Sequence, residues 1–172
     1  MKNNGDFASN GLQTSAPVPL FSIIVPTHNR PRELRACLGA MAKLDYPESC
    51  FEVIVVDDGS EPALDPANSN ELGDRITWLR KPNAGPAAAR NAGAAKAQGR
   101  YLAFTDDDCL PAPAWLKGFA RAFQQTPQAL LGGCTTNGLP DNIDSTTSQV
   151  IVEAARAYFI ETHSTFQFFA SN

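Results

Sequence analysis

The chain has 172 residues, 43% of them hydrophobic, and its formal net charge is −4. A chain of this length can form one domain with a real hydrophobic core, and its mild acidity argues against sequence-independent binding to nucleic acid. No apolar run approaches the roughly 20 residues of a membrane-spanning helix, and the polar N-terminus lacks the apolar segment of a secretion signal. We therefore expect no nucleic-acid partner, no transmembrane segment, a disordered leader over residues 1–19, and a location in the cytoplasm or at the cytoplasmic face of a membrane.

The first regular elements are two strands separated by a helix. An apolar, β-branched run predicts a buried strand over 21–25, closed by Pro26. Apolar residues at helical spacing then predict a helix over 30–44. A second strand is predicted over 51–56, and the stretch 61–74, which contains prolines and several Asn, Asp and Ser residues, indicates a loop or a short irregular helix.

The next elements continue this alternation. A third strand is predicted over 75–79. The alanine-rich stretch 83–99 is expected to form a helix whose small residues pack closely on a sheet. A fourth strand, over 101–105, leads directly into three aspartates, and the apolar and aromatic residues of 114–125 lie on one face of a further helix.

Two candidate elements complete the pattern, a strand over 129–136 and a helix over 147–163. The strands are continuously apolar rather than alternating, as parallel strands covered on both faces require. The order of strands and helices therefore predicts an α/β fold, with a Rossmann-like, mostly parallel sheet and helices on both faces.

The pattern of cysteines does not indicate a catalytic or metal-binding role. Cys37, Cys50, Cys109 and Cys134 are far apart along the chain and form no C-x-x-C pair. In a chain of this length without an export signal, we expect reduced thiols that fill core space.

Polar signatures follow three of the predicted strands. "PTHNR" follows the first strand, "DDGS" the second and "TDDD" the fourth. Open parallel sheets bind ligands just beyond the carboxyl ends of their strands, so we expect a binding site at this edge.

The three consecutive aspartates are the most informative of these signatures. If the fourth strand continues through Asp108, then Asp106 and Asp108 share one face and Asp107 points away. Two carboxylates on one edge suit a hard divalent cation such as Mg²⁺ or Mn²⁺, which would also relieve their mutual repulsion. The alternative is that these acids cap the next helix or face water.

The other polar residues at this edge have more than one interpretation. Asp57 and Asp58 precede a glycine and fit a turn, but a carboxylate there can also accept hydrogen bonds from a ribose or a base. Arg90 lies in a helix that begins near the strand ends, where Gly85 permits the close approach of a phosphate. An ordinary surface position is the alternative for Arg90.

Four segments, taken in order and spacing, resemble the motif set of glycosyltransferase family 2: "FSIIVPTHNR", "FEVIVVDDGS", "NAGPAAARNAG" and "RYLAFTDDDCLP". The resemblance covers residues 21–113. It implies a GT-A fold and an enzyme that transfers a sugar, with inversion, from a UDP-, dTDP- or GDP-linked donor to an acceptor hydroxyl. It also implies a Mn²⁺ or Mg²⁺ cofactor and a glycan or lipid-linked acceptor.

The resemblance assigns donor-binding roles to four residues of the first three motifs. Pro26 and Thr27 would line the nucleoside pocket. Asp58, the second acid of "DDGS", would contact the base. Arg90 would reach the base or the diphosphate.

The D-x-D motif of the family falls on Asp106 and Asp108. Asp106 would lie toward the ribose and share in the metal site, and Asp108 would bind the metal that bridges the donor phosphates. Cys109 stands where many members have another acid, a variation that leaves the D-x-D motif intact.

No general base is identifiable in this chain. Inverting members use an acid in an "ED"-like motif well past the D-x-D motif, and none of the later acids has that context: Asp141, Asp144, Glu153 and Glu161. Glu161 and His163 are interpreted as solvated residues on a helix. We therefore expect residues 20–172 to form a nucleotide-sugar-binding domain that is incomplete at its C-terminus, with the base absent.

Other classes of protein stay open beside a glycosyltransferase. A sugar-phosphate nucleotidyltransferase would want a glycine-rich phosphate loop after the first strand, and "PTHNRPREL" has no glycine. A phosphoreceiver-like domain would want acids after the first and third strands, whereas here they follow the second and fourth. A catalytically incomplete remnant that binds a nucleoside diphosphate without transferring a sugar is the remaining alternative.

Overall fold

The structure is a computed structural model that describes residues 20–68 and 70–162, so the predicted leader over 1–19 lies outside the described residues. Four strands form its sheet: β1 (Phe21–Thr27), β2 (Phe51–Asp57), β3 (Ile76–Arg80) and β4 (Tyr101–Phe104). They are all parallel and lie in the order β3-β2-β1-β4. The predicted parallel α/β sheet is confirmed.

β1 does not end before Pro26, as predicted, but continues to Thr27. The Ile24 carbonyl accepts a hydrogen bond from the Thr105 N–H on the β4 side, and Pro26, two residues further, faces the same side. β4 no longer pairs there, because its last register pair joins Phe104 to Ile24. The missing N–H of the proline therefore costs no hydrogen bond within the sheet.

The described residues contain four α-helices: α1 (Pro31–Met41), α2 (Pro86–Ala94), α3 (Trp115–Gln125) and α4 (Ile143–Thr162). Apolar side chains of α1 and α3 pack against one face of the sheet in the larger core. Ala89 of α2 packs against Ile54 and Val56 on the opposite face. Helices on both faces are thus confirmed, and no helix in the described ranges is long and apolar enough to cross a membrane.

α2 lies very close to the sheet because its contact residue has no side chain. A Cβ added to Gly93 would lie 2.6 Å from Ile24 Cγ2 and 3.1 Å from Val56 Cγ2. This close packing agrees with the prediction from the small residues of the segment. It brings the start of α2, with Gly85 as its N-cap, to the carboxyl edge of the sheet.

The helix predicted over 83–99 is shorter in the structure, whereas the irregular stretch predicted over 61–74 is confirmed. α2 covers only the centre of the predicted range 83–99, because the residues before Gly85 are non-helical and contact the loop after β2. The stretch 61–74 contains two short 3₁₀ segments, Pro66–Asn68 and Asn70–Arg75, which agrees with a loop or short irregular helix.

The predicted strand over 129–136 is wrong. The segment has a single bridge residue, Gly132, and Leu130 is 92% exposed. A strand needs a neighbour that satisfies its backbone groups, and among the described residues none of the four strands pairs with this segment along its length. An apolar run alone therefore did not suffice to predict a strand.

Candidate functional site

Three loops meet at the carboxyl edge of the sheet. β1 pairs with β2 through Thr27 and Asp57, so the loops that follow these strands start side by side. The loop after β4 joins them because the Thr27 hydroxyl donates a hydrogen bond to Asp107 Oδ2 at 2.7 Å. The structure thus brings the three polar signatures together, as the sequence predicts.

Asp107 is the buried member of the three aspartates, which we call the acidic turn (residues 106–108). β4 ends at Phe104, so the acids lie on a turn. The predicted alternation of faces had assumed an extended strand through Asp108 instead. Asp107 is nevertheless 5% exposed, whereas the side chains of Asp106 and Asp108 are 54% and 52% exposed. Two acids therefore face outward and one faces inward, as predicted, but the cause is the turn and not the alternation of side chains along a strand.

Asp107 anchors the acidic turn to the rest of the site. Burial raises the pKa of its carboxyl above the ordinary value, although the hydrogen bond from Thr27 and the charge of Arg30 act in the opposite direction. Arg30 Nη1 lies 3.4 Å from Asp107 Oδ1. The turn is therefore tied both to β1 and to the residue that precedes α1.

Each exposed aspartate of the acidic turn pairs with an arginine. Arg90 of α2 donates a hydrogen bond through Nη2 to Asp106 Oδ1. Arg30 donates one through Nη1 to Asp108 Oδ2 at 2.8 Å, and this bond raises the pKa of the guanidinium further. Arg90 lies at the site, and its contact with a base or diphosphate stays a prediction.

Asp58 is buried and holds the segment that leads into α2. Its carboxylate accepts hydrogen bonds from the N–H groups of Ala84 and Gly85, at 3.1 and 2.7 Å, and from Lys81 Nζ. The bond from Lys81 is the largest cause that lowers the pKa of Asp58, against the opposing effect of burial. Asp58 therefore has a structural role that the sequence did not predict, and its contact with a base stays a prediction.

Asn29 joins the loop after β1 to the loop after β2. Its N–H donates a hydrogen bond to Ser60 Oγ at 2.9 Å, and its Oδ1 accepts one from the Glu61 N–H at 2.8 Å. Asn29 has φ 56°, a left-handed conformation that asparagine tolerates better than most residues. Asp57 supports the second loop as the turn interpretation predicts, because the Ser60 N–H donates to its Oδ1 at 2.8 Å.

Pro26 and Thr27 are both buried at the end of β1. Thr27 is 4% exposed, and its hydroxyl is already engaged with Asp107. Their predicted contact with a nucleoside stays a prediction, and the observed role of Thr27 is to position the acidic turn.

Two cations of the site, Arg30 and Lys81, were not predicted from the sequence. Arg30 lies 78 residues from its partner Asp108, and Lys81 lies 23 residues from Asp58. No local pattern connects residues so far apart. Only electrostatics could have indicated these two partners, because adjacent or buried carboxylates require nearby positive charge.

The acidic turn fits a divalent cation in its donor chemistry. Asp106 and Asp108 offer exposed carboxylate oxygens, and Mg²⁺ typically takes one or two protein carboxylates and completes its shell with water and phosphate. Within residues 20–68 and 70–162, no group of three or more His, Cys, Asp or Glu side chains could hold a metal ion. A cation here would therefore depend on ligands from a nucleotide and water as well.

The chain matches known glycosyltransferases in sequence. The model of the family described as "Glycosyl transferase family 2" matches residues 22–169. Glycosyltransferase AglE of Haloferax volcanii is 32% identical over 122 residues, which cover 69% of this chain and 40% of that protein. Validoxylamine A glucosyltransferase of Streptomyces hygroscopicus subsp. limoneus is 36% identical over 122 residues, which cover 68% of this chain and 27% of that protein.

Solved structures show the same architecture. Residues 1–349 of Staphylococcus aureus TarS in complex with UDP match with a TM-score of 0.62 and 29% identity, over 69% of this chain and 37% of that one. The mannosyltransferase PcManGT from Pyrobaculum calidifontis, in complex with GDP-Man and Mn²⁺, matches with a TM-score of 0.55 and 26% identity, over 74% of this chain and 38% of that one.

The fold and the family follow from these matches together. The chain spans less than half the length of the relatives that it matches. Its parallel sheet with helices on both faces is that of the GT-A glycosyltransferases. Because the family model covers nearly all of the described residues, the chain belongs to glycosyltransferase family 2.

Proposed function

We propose that this chain binds the donor in a glycosyltransferase that moves a sugar, with inversion, from a nucleoside-diphosphate sugar to an acceptor hydroxyl. The observation that carries this proposal is the acidic turn, whose two exposed carboxylates flank a buried third at the carboxyl edge of a parallel sheet. The relatives support it, since one solved structure contains UDP and another contains GDP-Man and Mn²⁺.

The two exposed acids of the turn have the metal-binding role in this proposal. Asp108 binds Mn²⁺ or Mg²⁺, and Asp106 shares in the site on its ribose side. The bound cation neutralises negative charge on the diphosphate leaving group. Asp107 maintains the arrangement, because its burial and its hydrogen bond from Thr27 hold the turn in one orientation.

The nucleoside pocket is formed by the loops after β1 and β2 and by the start of α2. Pro26 and Thr27 provide its floor at the end of β1. Asp58 shapes its wall by holding Ala84 and Gly85, and contacts the base from there. Arg90, which is paired with Asp106, supplies positive charge to the diphosphate.

The acceptor side of the reaction is proposed from the family alone. The acceptor is a glycan or a lipid-linked sugar, and the reaction takes place in the cytoplasm or at the cytoplasmic face of a membrane. Inversion requires a general base that deprotonates the acceptor hydroxyl. We assign this role to none of the later acids, of which Asp141, Asp144 and Glu153 are exposed.

A thermal-shift experiment tests the proposed donor site. The melting temperature is measured with UDP, GDP, dTDP and ADP, each with and without Mn²⁺. A nucleotide at roughly 100 times its Kd should raise the melting temperature by about 5–10 °C, only in the presence of the metal. If all four nucleotides fail on a cooperatively melting protein, the donor-site proposal is wrong.

Asp108→Asn provides the first mutational test. The substitution removes the negative charge that binds the cation while the size of the side chain is kept, so we expect the metal-dependent shift to disappear. Asp141→Asn is the matched control, because it removes an equally exposed carboxylate outside the site. An unchanged nucleotide affinity in Asp108→Asn would overturn the assignment of the metal ligand.

A transfer assay separates an enzyme from the binding-only alternative. The same protein is incubated with the nucleotide sugar whose nucleotide gives the shift and with glycan and lipid-linked acceptors, and release of the free nucleoside diphosphate is compared with and without acceptor. Release above the rate without acceptor supports a transferase. Tight binding without release favours a remnant that binds a nucleoside diphosphate.

A further inference from the structure

Arg30 occupies the place between two carboxylates of the acidic turn. The same nitrogen, Nη1, lies 2.8 Å from Asp108 Oδ2 and 3.4 Å from Asp107 Oδ1. Within the described ranges, its Nε and Nη2 groups have no hydrogen-bond partner, and the side chain is 53% exposed. Arg30 therefore contacts both acids through one nitrogen, and its other donors are available to a further partner.

The two carboxylates that Arg30 contacts differ in burial and in their other partners. Asp107 is buried, and a hydrogen bond from Thr27 fixes it. Asp108 is half exposed, and among the described residues only Arg30 donates a hydrogen bond to it from an oxygen or nitrogen atom. An exposed ion pair contributes little to stability and is readily exchanged for another charged partner. The link between Arg30 and Asp108 is therefore the exchangeable part of the turn.

We infer that Arg30 is an internal counter-cation of the acidic turn, which gives up Asp108 to the divalent cation and then binds the diphosphate of the donor. This inference rests on the proposed function, because it takes Asp108 as the metal ligand. A planar guanidinium with several free donors suits phosphate oxygens well. In this scheme Arg30 contacts the donor directly once the cation holds Asp108, and none of its roles requires a proton transfer.

The exchange predicts effects of opposite sign on two affinities. Arg30 competes with the metal for Asp108 and repels it, so removal of the charge should strengthen binding of the metal alone. Arg30 also donates hydrogen bonds to the diphosphate, so the same change should weaken binding of the nucleotide. A residue that merely holds the turn in shape would weaken both affinities when it is replaced.

The test uses Arg30→Gln, with Arg32→Gln as the matched control. Arg32 is exposed in the first turn of α1, and its loss changes the net charge equally. Affinity for Mn²⁺ alone is measured from the electron paramagnetic resonance signal of the free ion, and affinity for UDP and GDP by calorimetry in saturating Mn²⁺. We expect Arg30→Gln to bind Mn²⁺ roughly fivefold tighter and the nucleotide roughly tenfold more weakly.

Two further results make the outcome decisive. Arg30→Lys keeps the charge but not the planar fork, so it should bind Mn²⁺ as the wild type does and recover only part of the nucleotide affinity. When the wild type binds the nucleotide, the inference is wrong if Arg30→Gln fails to bind Mn²⁺ more tightly than the wild type or fails to bind the nucleotide more weakly. If the wild type binds neither ligand, the proposed function itself fails.

Discussion

At the scale of single residues, the acids of the site divide into those that hold the loops and those that face solvent. Asp58 is buried and engaged with Lys81 and two backbone N–H groups. Asp107 is buried beneath its neighbours. Asp106 and Asp108 project outward, where a cation and a nucleotide can reach them. Because the buried acids fix the backbone, the exposed pair keeps its position.

Asp58→Asn should destabilise the protein by about 2–4 kcal/mol at pH 7, because backbone N–H groups and a lysine lose their charged acceptor. The free energy of unfolding, measured by urea titration, checks this expectation. Asp74→Asn is the control, since Asp74 is exposed. Equal stability of the two variants would show that the contacts of Asp58 contribute nothing.

The same substitution should also change how stability depends on pH. The folded-state pKa of Asp58 lies below its ordinary value of 3.8. Its contribution is therefore complete above that value and is lost as pH falls through the lowered pKa. Below about pH 4, the wild type should lose stability more steeply than Asp58→Asn, and parallel curves would contradict this.

Local pattern was sufficient to predict the acids of the site but not their partners. Three aspartates after an apolar run are visible in the sequence, and their placement at one edge follows from parallel topology. The pairs Arg30–Asp108 and Thr27–Asp107 join residues 78 and 80 positions apart. They meet because β1 and β4 are neighbours, and that pairing cannot be read from either segment alone.

At the scale of elements, the order of strands and helices was predictable because the apolar runs are clear. The errors occurred where tertiary contacts decided the outcome. The residues before α2 are held by Asp58 instead of extending the helix. The run over 129–136 has no strand to pair with along its length in the described part of the chain.

A matched pair of glycine substitutions tests the close packing of α2. Gly93→Ala should destabilise the protein by about 1–3 kcal/mol, because the new methyl group overlaps Ile24 and Val56, which are stiff and buried. Gly39→Ala, in α1, meets no atom within 4 Å and should stabilise by about 0.5–1 kcal/mol through helix propensity. Urea titration measures both, and destabilisation of equal size would contradict the packing argument.

At the scale of the whole molecule, two cores lie on opposite faces of one sheet, and the larger one extends beneath the acidic turn. Cys37 of α1 belongs to that core and donates a weak hydrogen bond to the Asp106 carbonyl, with 3.6 Å between Sγ and the oxygen. Burial raises the pKa of its thiol to about 12. All four cysteines lie in the described ranges and are free. Cys37 fills core space as expected and Cys50 packs against the core, but Cys109 and Cys134 are half-buried outside it, so the expectation of core filling is wrong for these two.

The strand order also determines when each part of the sheet can form. Ser22 of β1 and its partner Glu52 of β2 are 30 residues apart, whereas Thr27 and Asp107 are 80 apart. Closing the longer loop costs about 0.9 kcal/mol more in chain entropy. Pulsed hydrogen exchange during refolding should therefore protect the amides of β2 before those of β4, and simultaneous protection would contradict this order.

A late arrival of β4 means that the proposed cation site would form only at the end of folding. In an early intermediate that contains only β1 and β2, the acidic turn would not yet lie beside Arg30. This intermediate would therefore have no affinity for metal or nucleotide. Metal and nucleotide would then bind only to completely folded molecules. A divalent cation that binds at the proposed site would stabilise the product without accelerating the early steps that lead to it.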